Sequence, residues 1–290
     1  MIVTQLLGGL GNQLFQYAIG RALAIKHAAP LRLDTTRLGG ELRRSYALNG
    51  FSIEARELTV EEVHELGLHL QAGQAVRGLL HRLFNRSSMP VIRESGFDFD
   101  ARNLNAPAHC YLQGYWQSPK YFAAIERTIK RDLRLRTELS SQSHAVRSAI
   151  EESTSVSVHV RRGDYASNPA TNLYHGTCDP EYYLAAERKL RTEFGELTLF
   201  VFSDDPQWAK DNVQFQSNAV AVTHNLLERD YEDLHLMTLC DHHIIANSTF
   251  SWWGAWLCDN PGKMVIAPRQ WFRGAGLSAE DLIPEGWIRM

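Results

Sequence analysis

The sequence predicts an α/β protein of two tandem layers, doubly wound around parallel sheets, with a cleft between them. Three observations carry this. An apolar run, Ile2 to Leu7, leads through a glycine-rich turn into a helical pattern and then a second short apolar run. A second series of strand and helix patterns begins at Ser155, after the polar stretch Glu151-Glu152-Ser153-Thr154. Leu197 to Phe202 is almost continuously apolar, as a parallel strand buried on both faces requires. A length of 290 residues suits two domains, and the break near residue 150 separates 1–150 from 151–290.

The elements follow in order. Ile2 to Leu7 is the first strand. Gln13 to His27 is a helix, with Leu14, Tyr17, Ala18, Arg21 and Ala22 at helical spacing. Leu31 to Leu33 is a short strand closing at Asp34. Thr59 followed by Glu62 is a capping box, so a helix runs over 59–70. Residues 71–90 are basic and poorly patterned, and are expected to form a mobile insertion. Residues 118–150 are expected to be helical, with Ser118 as N-cap and Pro119 at the first position. Ser155 to Val158 is a strand. Asp179-Pro180-Glu181 starts a helix to about Phe194. Asp230 to Leu239 is a helix, His243 to Ala246 a strand, Phe250 to Leu257 a helix, and Met264 to Ala267 a strand stopped by Pro268.

Composition excludes several classes. The chain is 44% hydrophobic, enough for a full core, and its formal net charge of −3 gives no pull toward nucleic acid or anionic lipid. Cys110, Cys178, Cys240 and Cys258 lie far apart without a C-x-x-C, as expected of reduced packing residues in a cytoplasmic protein. The first residues form a strand pattern, not a signal peptide. No apolar run reaches the ~18 residues of a membrane helix. Membrane contact is expected to be peripheral at most, at the inner face. No oligomeric state follows from the sequence.

Chemistry concentrates in a few stretches. His159-Val160-Arg161-Arg162-Gly163-Asp164 places two guanidinium forks at a strand exit, where α/β proteins bind ligands. Their planar forks match phosphate oxygens, although surface arginines at a strand end would look the same. Successive side chains of a strand point to opposite faces, so one arginine is expected to reach a phosphate and the other to brace the domain. Asp164 is either a general base or a carboxylate locking the arginines; a strongly paired carboxylate is a poor base. Ser248, Thr249, Phe250 and Ser251 open a helix and make either a diphosphate cradle or an ordinary N-cap. The tryptophans Trp252, Trp253 and Trp256 are expected to pack the domain. Asp204 and Asp205 end a buried strand; a carboxylate there suits the N1–H and amino group of guanine, or a helix cap ahead of Pro206. Gly8-Gly9-Leu10-Gly11-Asn12-Gln13 misses the dinucleotide spacing, and either lets a ligand approach the backbone or makes a tight turn. Asp98-Phe99-Asp100 is a literal D-x-D, and His242-His243 lacks a third ligand, so no metal site is expected.

Five motifs in order, Gly8 to Gln16, Gly114-Tyr115-Trp116-Gln117-Ser118 with Lys120-Tyr121-Phe122, His159 to Asp164, Phe202-Ser203-Asp204-Asp205, and Ala246 to Ala255, resemble the bacterial, inverting α-1,2-fucosyltransferases of glycosyltransferase family 11. The resemblance spans nearly the whole chain. It implies the GT-B fold, two Rossmann-like α/β domains, with 1–150 on the acceptor side and 151–290 holding GDP-fucose. It implies transfer of fucose, without metal or cofactor, from the co-substrate GDP-fucose to the 2-hydroxyl of a terminal β-galactoside of a bacterial surface glycan. It makes Arg161 the phosphate binder, puts His159 and Asp204 on the guanine, and sets Gly9 and Asn12 beside fucose or diphosphate. Arg161, Asp164 and Asn12 are then the catalytic candidates. The donor set is His159, Arg161, Gly9, Asn12, Asp204, Ser248, Thr249, Phe250 and Ser251. The rivals are a different acceptor or linkage, a non-catalytic GDP-sugar or glycan binder, and a metal-dependent transferase built on Asp98 and Asp100.

Overall fold

A computed structural model describes residues 1–39, 45–66, 89–163, 166, 168–225, 229–274 and 277–290. The expected insertion at 71–90 lies outside the described residues except at its last two positions. The chain divides into two compact units, Met1–Arg134 and Leu135–Met290. The division falls upstream of the expected break near 150, because the helix Ser141–Glu151 packs into the second unit. Ile150 joins a core with Phe200, Phe202 and Leu236, and the N-cap hydroxyl of Ser140 donates to Glu232 at 2.9 Å.

The first unit holds β1 (Ile2–Gln5), β2 (Leu31–Asp34), β3 (Arg56–Glu57), β4 (Val91–Arg93) and β5 (Cys110–Gln113) in the parallel order β3-β2-β1-β5-β4. All four residues of β1 are buried, which suits the central place. The edge strands have only two and three residues, all exposed except the half-buried Ile92. Strand order reverses at β1, so an opening forms beyond the carboxyl ends of β1 and β5.

Helix α1 (Leu10–Lys26) starts three residues earlier than the apolar spacing suggests, because Gly9 serves as N-cap and Gly11 and Asn12 enter the first turn. It is buried almost all round, including Gln13 and Gln16 at 0% exposure. Helix α2 (Val60–Glu65) opens with the expected capping box: Glu62 N–H donates to the Thr59 hydroxyl, and Thr59 N–H to the Glu62 carboxylate. The long helix expected over 118–150 is broken. It is replaced by 3-10 turns at Pro119–Tyr121 and Ala123–Ile125, then α3 (Glu126–Asp132) and α4 (Ser141–Glu151). The interruption is where the chain passes from one unit to the other, with Asp132 tied back to Tyr17 and Arg21 of α1.

The second unit holds β6 (Ser155–Val160), β7 (Thr198–Ser203), β8 (Asn218–Val222), β9 (His242–Ile244), β10 (Val265–Ala267) and β11 (Ile288–Arg289), parallel in the order β11-β10-β9-β6-β7-β8. Among the described residues its helices are α4, α5 (Pro169–His175), α6 (Pro180–Phe194), α7 (Pro206–Asn212), α8 (Asp230–Leu239) and α9 (Thr249–Leu257). Both faces of the sheet are covered, and strand alternation sorts them. Val156, Val158, Val160, Leu199 and Val201 pack with Tyr183 and Leu190 of α6, whereas Phe200 and Phe202 pack with Leu236 and Met237 of α8. Trp252 and Trp253 are fully buried, and the Trp252 indole donates to the Leu282 carbonyl at 2.8 Å. His243 is hydrogen-bonded to Ser157 across β6 and β9 at 2.7 Å. All four cysteines are buried and free. Among the described residues, no helix is long and apolar enough to cross a membrane.

Candidate active site

The second unit starts its sheet in the middle. From β6 the chain moves to β7 and β8, then crosses back to β9 on the other side of β6. The gap beyond the carboxyl ends of β6 and β9 is therefore the switch point where ligands of such sheets bind. Arg161, Arg162 and Gly163 leave β6 there, and Ala246 to Ser248 lead from β9 into α9.

His159 bridges the two sides. It is 5% exposed, and its ring centre lies 5.5 Å from that of Phe250 in the first turn of α9. Burial, and then the nearby Arg161 charge, push its pKa down to about 3. The ring is neutral near pH 7, and its Nδ1 has no protein partner among the described residues. It can exchange a neutral hydrogen bond with a ligand.

The two arginines have different partners. Arg161 Nη1 lies 2.8 Å from Asp204 Oδ2 at the end of the adjacent strand β7, and both side chains are about one-fifth exposed. Arg162 turns its guanidinium over the Trp208 ring at 4.0 Å, with Nη1 3.5 Å from the Thr177 hydroxyl. Its backbone N–H donates to Asp204 Oδ1 at 2.8 Å. Asp204, expected on the guanine, thus has both oxygens engaged by the arginine loop. Gly163 is required by this closeness: a Cβ there would lie 2.2 Å from Asp204 Oδ2. The helix-cap role falls to Asp205, whose carboxylate accepts from Trp208 N–H at 3.1 Å ahead of Pro206 at the first position. Trp208 and Thr177 were not singled out by sequence reasoning; an indole three residues into the Asp205-Pro206 helix was the available signal for the first.

On the α9 side, the Ser248 hydroxyl accepts from Phe250 N–H at 3.3 Å, an ordinary N-cap that sets the positive end of the helix at the switch point. Thr249 and Phe250 are half-buried beside it. Ser251 turns inward: it is 1% exposed and its hydroxyl donates to the Ser248 carbonyl at 3.2 Å. Asn247, within the motif but not chosen as a site residue, is the organiser. It is 2% exposed and its amide donates to the carbonyls of His175, Gly176 and Trp271, tying together the loops that follow β6, β9 and β10. Asp164 lies outside the described residues.

The first unit carries its own motif residues at its β1–β5 switch point. Gly8 has φ +75°, and a Cβ there would lie 2.5 Å from the Asn12 amide nitrogen. Gly9 caps α1 through its backbone alone. Asn12 Oδ1 accepts from Gln117 Nε2 at 3.0 Å, joining the loop after β1 to the loop after β5. Gln13 donates to the carbonyls of Gly8 and Ser45 and accepts from Ala47 N–H. Gln16 accepts from Leu7 N–H and donates to the Gly114 carbonyl. The two glutamines are fasteners. Asp100 of the D-x-D caps the turn Ala101–Asn105 and pairs with Arg102 at 2.8 Å, so its carboxylate has protein partners. Among the described residues, no group of three His, Cys, Asp or Glu side chains is gathered closely enough to hold an ion.

Comparison with known proteins places this geometry. Residues 92–290 match the family model described as "Glycosyl transferase family 11". The chain is 32% identical to an "Alpha-1,2-colitosyltransferase" of Escherichia coli, over 100% of this chain and 99% of that one. It is also 32% identical to "O-antigen biosynthesis glycosyltransferase WbnK" of Escherichia coli, over 98% and 99%. Identity to the human "Galactoside alpha-(1,2)-fucosyltransferase 1" is 27%, over 50% of this chain and 42% of that one. Among solved structures, POFUT1 in complex with GDP-fucose aligns with a TM-score of 0.53 at 13% identity, covering 92% of this chain and 97% of that one. A mutant of Arabidopsis thaliana FUT1 in complex with GDP aligns with a TM-score of 0.53 at 11% identity, covering 92% and 70%. At such identities these likenesses concern the fold, which is the GT-B-like pairing of two Rossmann-like α/β units.

Proposed function

The chain belongs to glycosyl transferase family 11, and on that premise we propose that it transfers L-fucose from GDP-β-L-fucose to the 2-hydroxyl of a terminal β-galactoside, without a metal ion. The bond from the anomeric carbon to the diphosphate breaks, the acceptor oxygen attacks from the opposite face, and the product is an inverted, α-1,2-linked fucoside. The acceptor hydroxyl proton passes to a base, for which Asp164 is the candidate. The observation that carries the reading is the arginine loop and the α9 N-terminus on the two sides of one switch point, bridged by the His159–Phe250 contact. Charge gathers on the departing diphosphate, and a guanidinium with a helix N-terminus stabilises it as it forms. Arg161 serves that role, and Ser248, Thr249 and Phe250 shape the helix end. His159 and Asp204 meet the base, with Asp204 sharing its carboxylate with the arginine loop. The first unit takes the acceptor and the second takes the nucleotide. The acceptor is a bacterial surface glycan or its precursor, and the reaction is cytoplasmic.

A second reading has one observation in its favour. Identity to the colitosyltransferase extends over the whole chain, whereas identity to the human galactoside fucosyltransferase covers half of it. The donor would then carry a colitosyl group in place of fucosyl.

The test is GDP release from GDP-fucose with lactose in excess EDTA, followed by linkage analysis of the product. Lactose-dependent release and an α-1,2 product support the reading. Activity that needs a divalent ion refutes the metal-free step. A colitosyl donor turned over at much higher kcat/KM than GDP-fucose favours the second reading.

A further inference from the structure

The loop after β5 is built with more care than a connection needs. Trp116 has φ +59°, a left-handed backbone that a bulky residue rarely adopts, and its side chain is fully buried. Glu94, following β4, holds this turn: Oε2 accepts from Tyr115 N–H at 2.6 Å and Oε1 from Trp116 N–H at 2.8 Å. Gly114 allows it, because a Cβ there would lie 2.5 Å from the Glu94 Cβ. The effect is to send the indole of Trp116 inward and the ring of Tyr115 outward.

Tyr115 is 37% exposed and lies nearly parallel to Phe97, with ring centres 6.4 Å apart and planes at 16°. A Cβ added at Gly96, beside Phe97, would meet nothing within 4 Å, so space is open there. The neighbouring aromatics differ: Phe99 and Trp116 both pack edge-on to Tyr121. Tyr115 stands two residues before Gln117, the partner of Asn12. An exposed tyrosine ring, set by a half-buried carboxylate and lying near-parallel to a half-buried phenylalanine at the carboxyl edge of a sheet, is a surface for a ligand.

We propose that Phe97 and Tyr115 form the platform on which the acceptor's sugar ring lies, with Glu94 as the positioning residue that sets Tyr115. The proposal rests on the reading of the first unit as the acceptor side. The axial 4-hydroxyl of galactose leaves the C–H bonds of C3, C4 and C5 together on the opposite face, and that apolar face matches two near-parallel rings. Laid so, the ring keeps its equatorial 2-hydroxyl at the edge, clear for transfer. Glu94 is pushed above the usual carboxylate range by burial, while its two N–H donors pull it back, in keeping with a carboxylate committed to the loop.

The test is steady-state kinetics of Tyr115→Ala, Phe97→Ala, Tyr115→Phe and Glu94→Gln, with folding checked by circular dichroism. Tyr115→Ala and Phe97→Ala are expected to raise KM for lactose about tenfold, as loss of one aromatic contact does. KM for GDP-fucose should stay unchanged, and Tyr115→Phe, which keeps the ring, should raise KM for lactose less than Tyr115→Ala does. Glu94→Gln should raise KM for lactose more than it lowers kcat. Unchanged lactose KM in both alanine variants, or a rise confined to KM for GDP-fucose, overturns the proposal. Saturation-transfer NMR with methyl β-D-galactoside and no donor separates it from the donor assignment. Contacts to H3, H4 and H5 in the wild type that vanish in Tyr115→Ala support the platform even if GDP-fucose is the wrong donor. No contact in the wild type overturns it.

Discussion

Arg161 and Asp204 form an ion pair at 2.8 Å across the parallel strands β6 and β7, and the same carboxylate accepts the backbone N–H of Arg162. One side chain therefore sets both the guanidinium and the backbone of the loop. Arg161→Ala should lower kcat by about 10²–10³, the cost of one donor to developing charge. Asp204→Ala should lower it by a smaller but measurable factor. If Asp204 acts through Arg161, the double variant should be no worse than Arg161→Ala. Additive losses would mean that Asp204 has a separate role on the nucleotide.

Gly163→Ala tests the closeness of that loop. The added methyl would lie 2.2 Å from Asp204 Oδ2, so the carboxylate must leave or the loop must shift. Donor affinity should fall at least tenfold, while stability should drop by about 1–3 kcal/mol, the range for overpacking. A variant that binds GDP like the wild type would show the loop to be more yielding than its geometry.

Acid should destabilise the second unit through two histidines. Burial is the first cause holding His159 and His243 down to about 3. Both are depressed below the unfolded value near 6.5, so the unfolded chain takes up protons that the folded chain refuses. Their contribution is complete above pH ~6.5 and is lost as pH falls toward 3, by up to about 1.4 kcal/mol per pH unit for each histidine. Replacing His159 by Gln should flatten the slope of urea-unfolding free energy between pH 6 and pH 4. An unchanged slope would show that this histidine does not carry the effect.

Gln16 should matter for folding of the first unit more than its polarity suggests. Its loss leaves the Leu7 N–H and the Gly114 carbonyl without their amide partner. Gln16→Ala should cost about 2–6 kcal/mol in chemical denaturation, about 1–3 for each orphaned group. Gln16→Glu should not rescue it, because a carboxylate cannot donate to the Gly114 carbonyl. Full stability in the Glu variant would contradict the fastener role.

Much of this protein is decided locally and was legible in the chain alone. The helix Asp230–Leu239, the helix opened by Asp179-Pro180, the capping box of Thr59 and Glu62, and the buried strand β7 depend on spacing within a dozen residues. So does the α/β class, and so does the placing of His159, Arg161 and Ser248 at strand exits. What only the tertiary structure decided are relationships between distant residues. The order in which strands pair put β9 beside β6, and with it Phe250 beside His159. Two adjacent aspartates look alike in sequence, yet Asp205 caps a helix and Asp204 holds an arginine forty-three residues earlier. The short edge strands β3 and β4 exist only because longer neighbours supply their hydrogen bonds. Periodicity records which face of an element is buried; it carries no information about which polar group meets which across the fold, because that is settled by packing geometry after the elements have formed.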